Sequence, residues 1–573
     1  MTDPLLRDGS PRHDLLIAAN YAAISVVTAL YVAAAPVGRQ DRWILDGLEL
    51  PFYAYLFLFF LAMWYVKSPR YAVVVATAFL LVATALPNLK YQYFYGIGDE
   101  NLHYEAASVL ASTGIPLSAT PYTDLPGFHI WIVELAEVAG VPVDWAFRFA
   151  IPLAIASIPG IVYATTSPTR SSFERKVAII MATIPFFAIY RTNPALFSTS
   201  LVALLILASL SRYQGRGQSG WTLVAVLSFS TLTVSHALTS LVALAVVLST
   251  AIGRAVQAPL SETNSGSARP RNSTSALVLL LTIIMASWWI LQADFLVEYA
   301  VSRILEVIAG QEPKAVIPSR FFDLPVLPRL VVLLVARGGF VTFAIFMVCA
   351  LAMFTRLRPA HRKLALHFLL PALPFFIIIG AQLASNFGSL EIERFFGYAV
   401  YPSSLFMATI LALTLRTSRQ RAAAMACLLI GASVSTLSVY PAQPLVPTAE
   451  GLVPQGVRSD VPLVYFHQVT TTFQVSLIQF ASTYLPNRCI IGTDTVTAKQ
   501  IQAFAGGDLC LSSDSLYGLD AQLSDVWLFH FGGVAGPISE TPDFGSEARI
   551  LEYLSENDLI YSNGYSFLGS RRW

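Results

Sequence analysis

Residues 126–140 read Pro-Gly-Phe-His-Ile-Trp-Ile-Val-Glu-Leu-Ala-Glu-Val-Ala-Gly, and where they lie decides the fold. Phe128, Trp131, Ile132, Leu135 and Val138 recur at helical spacing, while Glu134 and Glu137 fall one turn apart on another face. On insertion scales a carboxylate at the centre of a bilayer costs about 2.5–3.5 kcal/mol, and a crossing would incur that cost twice. A helix lying along the interface avoids it. The segment is expected to rest on a membrane surface without spanning it.

That there is a membrane follows from composition. Of 573 residues, 55% are hydrophobic and only 12% charged, against about 25% charged in an average soluble domain. Mean hydropathy is +0.61. These figures exclude a soluble enzyme and a disordered chain. A net charge of +1 supplies no bulk field for polyanions, which excludes a nucleic-acid partner. The chain is expected to be an integral protein of the cell membrane.

Apolar runs of about 20 residues mark crossings. They fall near 14–35, 50–66, 71–90, 144–164, 177–190, 194–211, 221–235, 237–253, 275–294, 329–354, 364–385, 396–415 and 422–440. Basic clusters flank alternate loops: Arg7/Arg12, Lys67/Arg70, Arg170/Arg175/Lys176, Arg212/Arg216, Arg254/Arg270/Arg271, Arg356 to Lys363 and Arg416 to Arg421. The intervening loops carry Asp99, Glu100, Glu105, Asp124, Glu298, Glu312, Glu391 and Glu393. This alternation holds only if the chain crosses once between residues 90 and 165, which agrees with a surface position for 126–140. The expectation is a polytopic α-helical membrane protein of about 13 spans, amino end inside and carboxyl end outside. No cleavable signal peptide is expected, because the first apolar run has span length and lacks a small-residue cleavage site.

Residues 1–440 form the membrane domain, and 441–573 differ in character. The latter part reads as a small α/β domain outside the membrane. Strands are expected over Val461–Phe466 and Cys489–Gly492, helices over 472–484 and 495–504, and a two-residue hairpin at Asn563-Gly564. Cys489 and Cys510 would form a disulfide there or stand as two free thiols. Cys349 and Cys427 lie within apolar runs as small hydrophobes. The loop 254–274 is a flexible cytoplasmic linker holding the Asn272 sequon on the inner side.

The polar stretch after the third run carries the chemistry: Gly98-Asp99-Glu100-Asn101-Leu102-His103-Tyr104-Glu105. Asn101 is a candidate N-cap and Gly114 a helix stop, with Pro116 just beyond. Asp99 and Glu100 at a helix amino end would be held ionised by the dipole. His103 follows Asp99 by four residues and shares its face if the helix starts early enough. A carboxylate there can take a hydroxyl proton or bind a hard cation; a solvated acidic cap would look the same. Beyond it, Pro121-Tyr122-Thr123-Asp124-Leu125-Pro126-Gly127-Phe128-His129 forms a turn that sets His129 at the start of the interfacial helix. Further polar groups at helix ends are Arg191-Thr192-Asn193-Pro194, Ser235-His236 with Thr239, and Glu391-Ile392-Glu393-Arg394. Arg191 and Arg394 can hold a phosphate. Arg337, about eight residues into its run, is either a buried functional charge or a snorkelling one. Trp288-Trp289 anchors at the interface or packs in the core.

Together these features resemble the GT-C superfamily of glycosyltransferases, and within it archaeal-type relatives of the dolichyl-phosphate-mannose mannosyltransferases. The resemblance covers roughly residues 71–440. The family's acidic pair is matched by Asp99-Glu100, its Pro-rich turn by Pro121 to His129, and its basic residue before a late span by Arg394. Where the family often has a second Asp, this chain has Asn193, and the two runs before residue 71 are additional. The resemblance implies inverting transfer of a hexose, expected to be mannose, from a dolichyl or polyprenyl phosphate to an acceptor glycan or glycoprotein outside the cell, as in S-layer-type N-glycosylation. It implies Asp99 as base, with Glu100 and His103 orienting it or joining it around a divalent cation, Mg or Mn. Arg394 with Arg191 or Arg337 would hold the leaving phosphate. Tyr122, His129, Asn193 and His236 would complete the substrate site. An oligosaccharyltransferase shares this layout, but the only tryptophans of the C-terminal part, Trp527 and Trp573, lack the expected Trp-Trp-Asp context. A lipid-linked-sugar flippase would instead favour paired repeats and polar groups at mid-membrane.

Overall fold

The computed structural model describes residues 11–35, 48–90, 99–116, 124–166, 171–183, 194–213, 218–257, 272–293, 342–378 and 392–439, with seven strands beyond them. Its helices are α1 (Pro11–Ala34), α2 (Glu49–Tyr65), α3 (Pro69–Lys90), α4 (Asp99–Thr113), α5 (Gly127–Ala139), α6 (Val143–Ala156), α7 (Ile158–Thr165) and α8 (Ser172–Thr183). They continue as α9 (Pro194–Tyr213), α10 (Gln218–Ser235), α11 (Ala237–Gln257) and α12 (Asn272–Leu291). The last four are α13 (Thr342–Phe354), α14 (Pro359–Leu369), α15 (Ile392–Thr414) and α16 (Ser418–Val439).

Five helical stretches are long and apolar enough to cross a membrane: Pro11–Ala34, Pro69–Lys90, Val143–Thr165, Pro194–Ser211 and Gly397–Thr414. Several of the remaining apolar runs are shorter helices among the described residues, including Leu50–Tyr65, Ser219–Ser235, Ala237–Gly253 and Ser275–Leu291. α1 shows what kind of surface they build. Asp14, Ala18, Tyr21, Ser25 and Val32 are buried, one stripe at helical spacing. Off that stripe Leu15, Val27 and Leu30 are 53%, 65% and 66% exposed. Apolar side chains facing outward along a whole helix are stable only against lipid. The chain is a membrane protein.

The interior is lined by α3, α6, α8, α9 and α15. Phe59 of α2 stacks on Phe79 of α3 with ring centroids 4.0 Å apart. Ser25 and Tyr55 share a hydrogen bond of 2.9 Å that joins α1 to α2. Asp14 accepts from the backbone N–H of Lys67 at 3.2 Å and of Ser68 at 2.7 Å, capping the start of α3 from a different helix. Lys176 Nζ donates to the Val66 and Trp64 carbonyls at 2.6 and 3.2 Å, closing the end of α2. The sequence places Arg175 and Lys176 among the basic residues flanking a loop; the structure buries both, together with Glu174, whose carboxylate accepts from Thr409.

α5 has 13 residues and rises about 20 Å, short of a hydrocarbon core of about 30 Å. It ends at Gly140, whose φ of 64° favours glycine and whose N–H closes on Ala136 and Glu137 carbonyls. α4 ends likewise at Gly114, φ 70°. Its start corrects one expectation: helix begins at Asp99, so Asn101 is inside the first turn and not its cap.

Beyond residue 440, β1 (Leu445–Thr448) and β2 (Gly451–Pro454) form an antiparallel pair. A second sheet has the order β4 (Cys510–Ser512), β3 (Ile490–Gly492), β5 (Val526–His530), β7 (Ser566–Arg571) and β6 (Asn557–Ser562). β3 runs parallel to both neighbours, while β7 is antiparallel to β5 and β6. The strand expected to end at Gly492 is present. β6 and β7 pair antiparallel, with Ser562 opposite Phe567, and the expected two-residue turn at Asn563-Gly564 lies outside the described residues. The expected strand 461–466, the expected helices 472–484 and 495–504, and Cys489 lie outside the described residues.

Candidate functional site

α4 and α5 meet through their histidines. His103 Nδ1 lies 3.1 Å from His129 Nε2. Both rings are buried, at 1% and 3% exposure, and Glu100 is buried beside them in sequence at 3%. Phe128 stands edge-on to His103 with centroids 5.8 Å apart, so the pair sits against aromatic walls. Burial pushes His129 down to about 4, which keeps its ring neutral at pH 7. In the contact between them one ring donates and the other accepts. Desolvation also raises the Glu105 carboxyl above its usual range.

Because α4 starts at Asp99, positions 99 and 103 lie one turn apart on one face. Glu100 and His103 are thereby both interior, and the surface-cap alternative fails for them. Among the described residues no group of three His, Cys, Asp or Glu is placed to hold a metal ion, and His103 and His129 turn ring nitrogens toward each other. The Asp99 side chain, one of the three expected cation ligands, lies outside the described residues.

The amino end of α5 rests on the α10–α11 joint. A Cβ on Gly127 would lie 2.6 Å from both Ser235 Oγ and Val234 Cγ2, an approach only glycine permits. His236 alone separates the two helices. Its Nδ1 lies 2.7 Å from Thr239 Oγ1, which lies 2.9 Å from the Tyr398 hydroxyl, and Tyr398 donates to the Ala195 carbonyl at 2.7 Å. That chain of contacts ties the first turns of α9 and α11 to α15. Arg394 occupies α15 one turn before Tyr398, and Asn193 directly precedes α9. Trp288 Nε1 donates to the Asp124 carbonyl at 3.0 Å and so holds the turn that feeds α5.

Of the sequence-derived candidates, the structure brings His103 and His129 into contact and sets His236 on the joint that packs on α5. Asp99 and Arg394 are placed by backbone alone. Tyr122, Arg191, Asn193 and Arg337 lie outside the described residues. Sequence reasoning passed over Tyr398, which no motif marks. It also passed over two buried cations, Lys90 and Arg148. Arg148 and Asn88 exchange side chain-to-carbonyl hydrogen bonds, locking α3 to α6 just before the loop that leads to Asp99. Their signal was a lone charge at the edge of an apolar run.

These elements define a polytopic helical membrane fold with a polar cluster at one set of helix ends, a fold that solved structures share. The mycobacterial arabinofuranosyltransferase AftD shares it with a TM-score of 0.52 and 14% identity, over 88% of this chain and 40% of that one. This chain therefore spans less than half of AftD's length. ArnT from Cupriavidus metallidurans bound to undecaprenyl phosphate aligns over 87% of this chain and 97% of its own, with a TM-score of 0.49 and 11% identity. The Archaeoglobus fulgidus oligosaccharyltransferase in complex with Zn and sulfate aligns over 87% and 73%, with 0.46 and 10%. No family model matches the chain and no curated protein sequence does.

Proposed function

We propose that this protein is a membrane glycosyltransferase that moves a sugar, mannose by its sequence resemblance, from a dolichyl or polyprenyl phosphate to an acceptor glycan or glycoprotein on the extracytoplasmic face. The carrying observation is that α4 begins at Asp99 and leads at once into buried Glu100 and the buried His103–His129 pair. Acidic and imidazole groups buried at helix ends are costly unless they serve chemistry or a network. A lipid carrier explains why so many apolar helices surround them. Nucleotide sugars are absent outside the cytoplasm, so the donor must arrive within the bilayer.

In the proposed step the acceptor hydroxyl oxygen attacks C1 of the sugar from the face opposite the phosphate. The C1–O bond breaks, its electron pair leaves with the lipid phosphate, and the hydroxyl proton passes to the Asp99 carboxylate. Position 99 lies in the first turn of α4, where the helix dipole favours a negative charge. Glu100 and the histidine pair fix the helix that carries it. Arg394, at the start of α15, and Arg191, before α9, are assigned to the departing phosphate. The domain 441–573 is assigned to the same outer side, where it would meet the acceptor.

The test is transfer of labelled sugar from lipid phosphate in membranes carrying Asp99→Asn. A rate lower by about 10²–10⁴ is expected for loss of a general base. Undiminished transfer sinks the assignment.

A further inference from the structure

Three helix amino ends meet at the α10–α11 joint. α5 begins at Gly127, which packs on the joint, and α11 begins at Ala237, on the joint itself. α9 begins at Pro194, and the carbonyl of its second residue, Ala195, accepts from Tyr398 Oη. Tyr398 Oη in turn lies 2.9 Å from Thr239 Oγ1 in the first turn of α11. These helices have 13, 20 and 21 residues, and none of them has an acidic side chain in its first turn. Each such end carries about half a positive charge, from N–H groups that find no acceptor within their own helix. α4 differs: it begins with Asp99 and Glu100 and so brings its own carboxylates.

One side chain at this meeting point is left without a bond. Ser235 is 1% exposed, and its Oγ has no hydrogen-bond partner among the described residues. That Oγ lies 2.6 Å from where a Cβ of Gly127 would stand, so the hydroxyl is turned toward the first turn of α5. Pro126, the residue before Gly127, supplies no side-chain cap for that turn. Burying an unpaired hydroxyl is costly, and a donor set beside other donors is satisfied by an acceptor that they share. An anion with several oxygens is such an acceptor.

We infer that the amino end of α5, together with Ser235 Oγ, binds a phosphate monoester, that of the polyprenyl carrier. α5 is too short to cross the hydrocarbon core, and the end of an interfacial helix stands at the depth of a lipid head group. Arg394 lies one turn before Tyr398 on α15, and Arg191 precedes α9 in sequence. The two cations assigned to the departing phosphate thus come from segments that lead to the same joint. That the phosphate belongs to a carrier rests on the transferase reading; that the joint binds phosphate does not.

The experiment uses the full chain in phosphatidylcholine nanodiscs with undecaprenyl phosphate, undecaprenol and inorganic phosphate as probes. Labelling glycine carbonyls with 13C and phenylalanine amides with 15N selects amides that follow a glycine, which are those of Phe128 and Phe340. Phe340→Leu identifies the second by its loss. The Phe128 amide should move with undecaprenyl phosphate and not with undecaprenol. Ser235→Ala should bind undecaprenyl phosphate about tenfold more weakly, for loss of one hydrogen bond to a charged group, with undecaprenol binding unchanged. A Phe128 amide that stays in place, or undiminished phosphate binding by Ser235→Ala, overturns the site; sugar transfer from lipid phosphate would then leave the transferase reading standing. An equal response of Phe128 to inorganic phosphate and to the lipid at one concentration overturns the carrier as occupant. Equal wild-type affinity for undecaprenyl phosphate and undecaprenol sinks the inference and the lipid-phosphate donor together.

Discussion

His103 Nδ1 and His129 Nε2 stand 3.1 Å apart across 26 residues of sequence, and this one contact turns two separate polar segments into a site. It fixes α4, which begins with the acidic pair, against α5, which begins at the Pro-Gly turn. Both rings are buried, and burial keeps the His129 ring neutral at pH 7.

That neutrality makes the packing sensitive to acid. His129 titrates near 4 in the folded chain because burial disfavours its charged form, against about 6.5 for an exposed imidazole. A depressed folded value means stability is complete above 6.5 and drains away as pH falls toward 4. The full difference is about 3 kcal/mol. Proteolysis between α4 and α5 in nanodiscs, followed from pH 7 to about pH 4, should accelerate over that window. His129→Gln should cleave at a rate that no longer steepens there. An equally steep wild-type and variant response would place the sensitive group elsewhere.

The contact of Gly127 with the α10–α11 joint gives a second expectation. Gly127→Ala puts a methyl group 2.6 Å from Ser235 Oγ and Val234 Cγ2, which forces α5 off the joint at a cost of about 1–3 kcal/mol. Thermal unfolding should show the loss. Removing the Ser235 hydroxyl relieves only one of the two clashes, so Gly127→Ala combined with Ser235→Ala should recover part of it. Strict additivity of the two substitutions would contradict the contact.

Much of this arrangement was legible in the sequence for a physical reason. Apolar periodicity reports which residues leave water, so helices expected over runs such as 71–90, 194–211 and 237–253 recur among the described elements. Proline and glycine punctuate them where the chain must turn, as at Gly114 and Gly140. The helix start at Asp99 escaped because Asn101 offers capping chemistry as good as that of Asp99, and the sequence does not choose between them. The Tyr398–Thr239–His236 chain escaped for a different cause: its members come from separate helices, and one hydroxyl in an apolar run carries no local signal. Burial of Glu174, Arg175 and Lys176 was likewise invisible, since a charge run beside a span reads as solvated until its partners are known.

Those buried charges predict how the additional helices α1 and α2 are held. Asp14 caps α3 from α1, and Lys176 closes α2 from α8. Asp14→Ala should lower stability by about 1 kcal/mol, the usual worth of an N-cap. Lys176→Met leaves the Trp64 and Val66 carbonyls without their donor and should cost about 1–3 kcal/mol. Differential scanning fluorimetry of each variant gives the ranking. A larger loss for Asp14→Ala would reverse the assignment of the stronger clamp.

The sidedness of α4 is the prediction on which the proposed chemistry most depends. Ser112 is exposed near the end of α4, and Ser219 is exposed at the start of α10. The charge alternation sets the first outside and the second inside. In a background with Cys349, Cys427, Cys489 and Cys510 replaced by Ala, Ser112→Cys should react with an impermeant maleimide on intact cells. Ser219→Cys should react only after the membrane is opened. The reverse pattern would put Asp99 on the side where nucleotide sugars are plentiful, and a lipid-borne donor would lose its reason. Equal labelling of both positions before lysis would show leaky cells, which a cytoplasmic marker protein detects in the same sample.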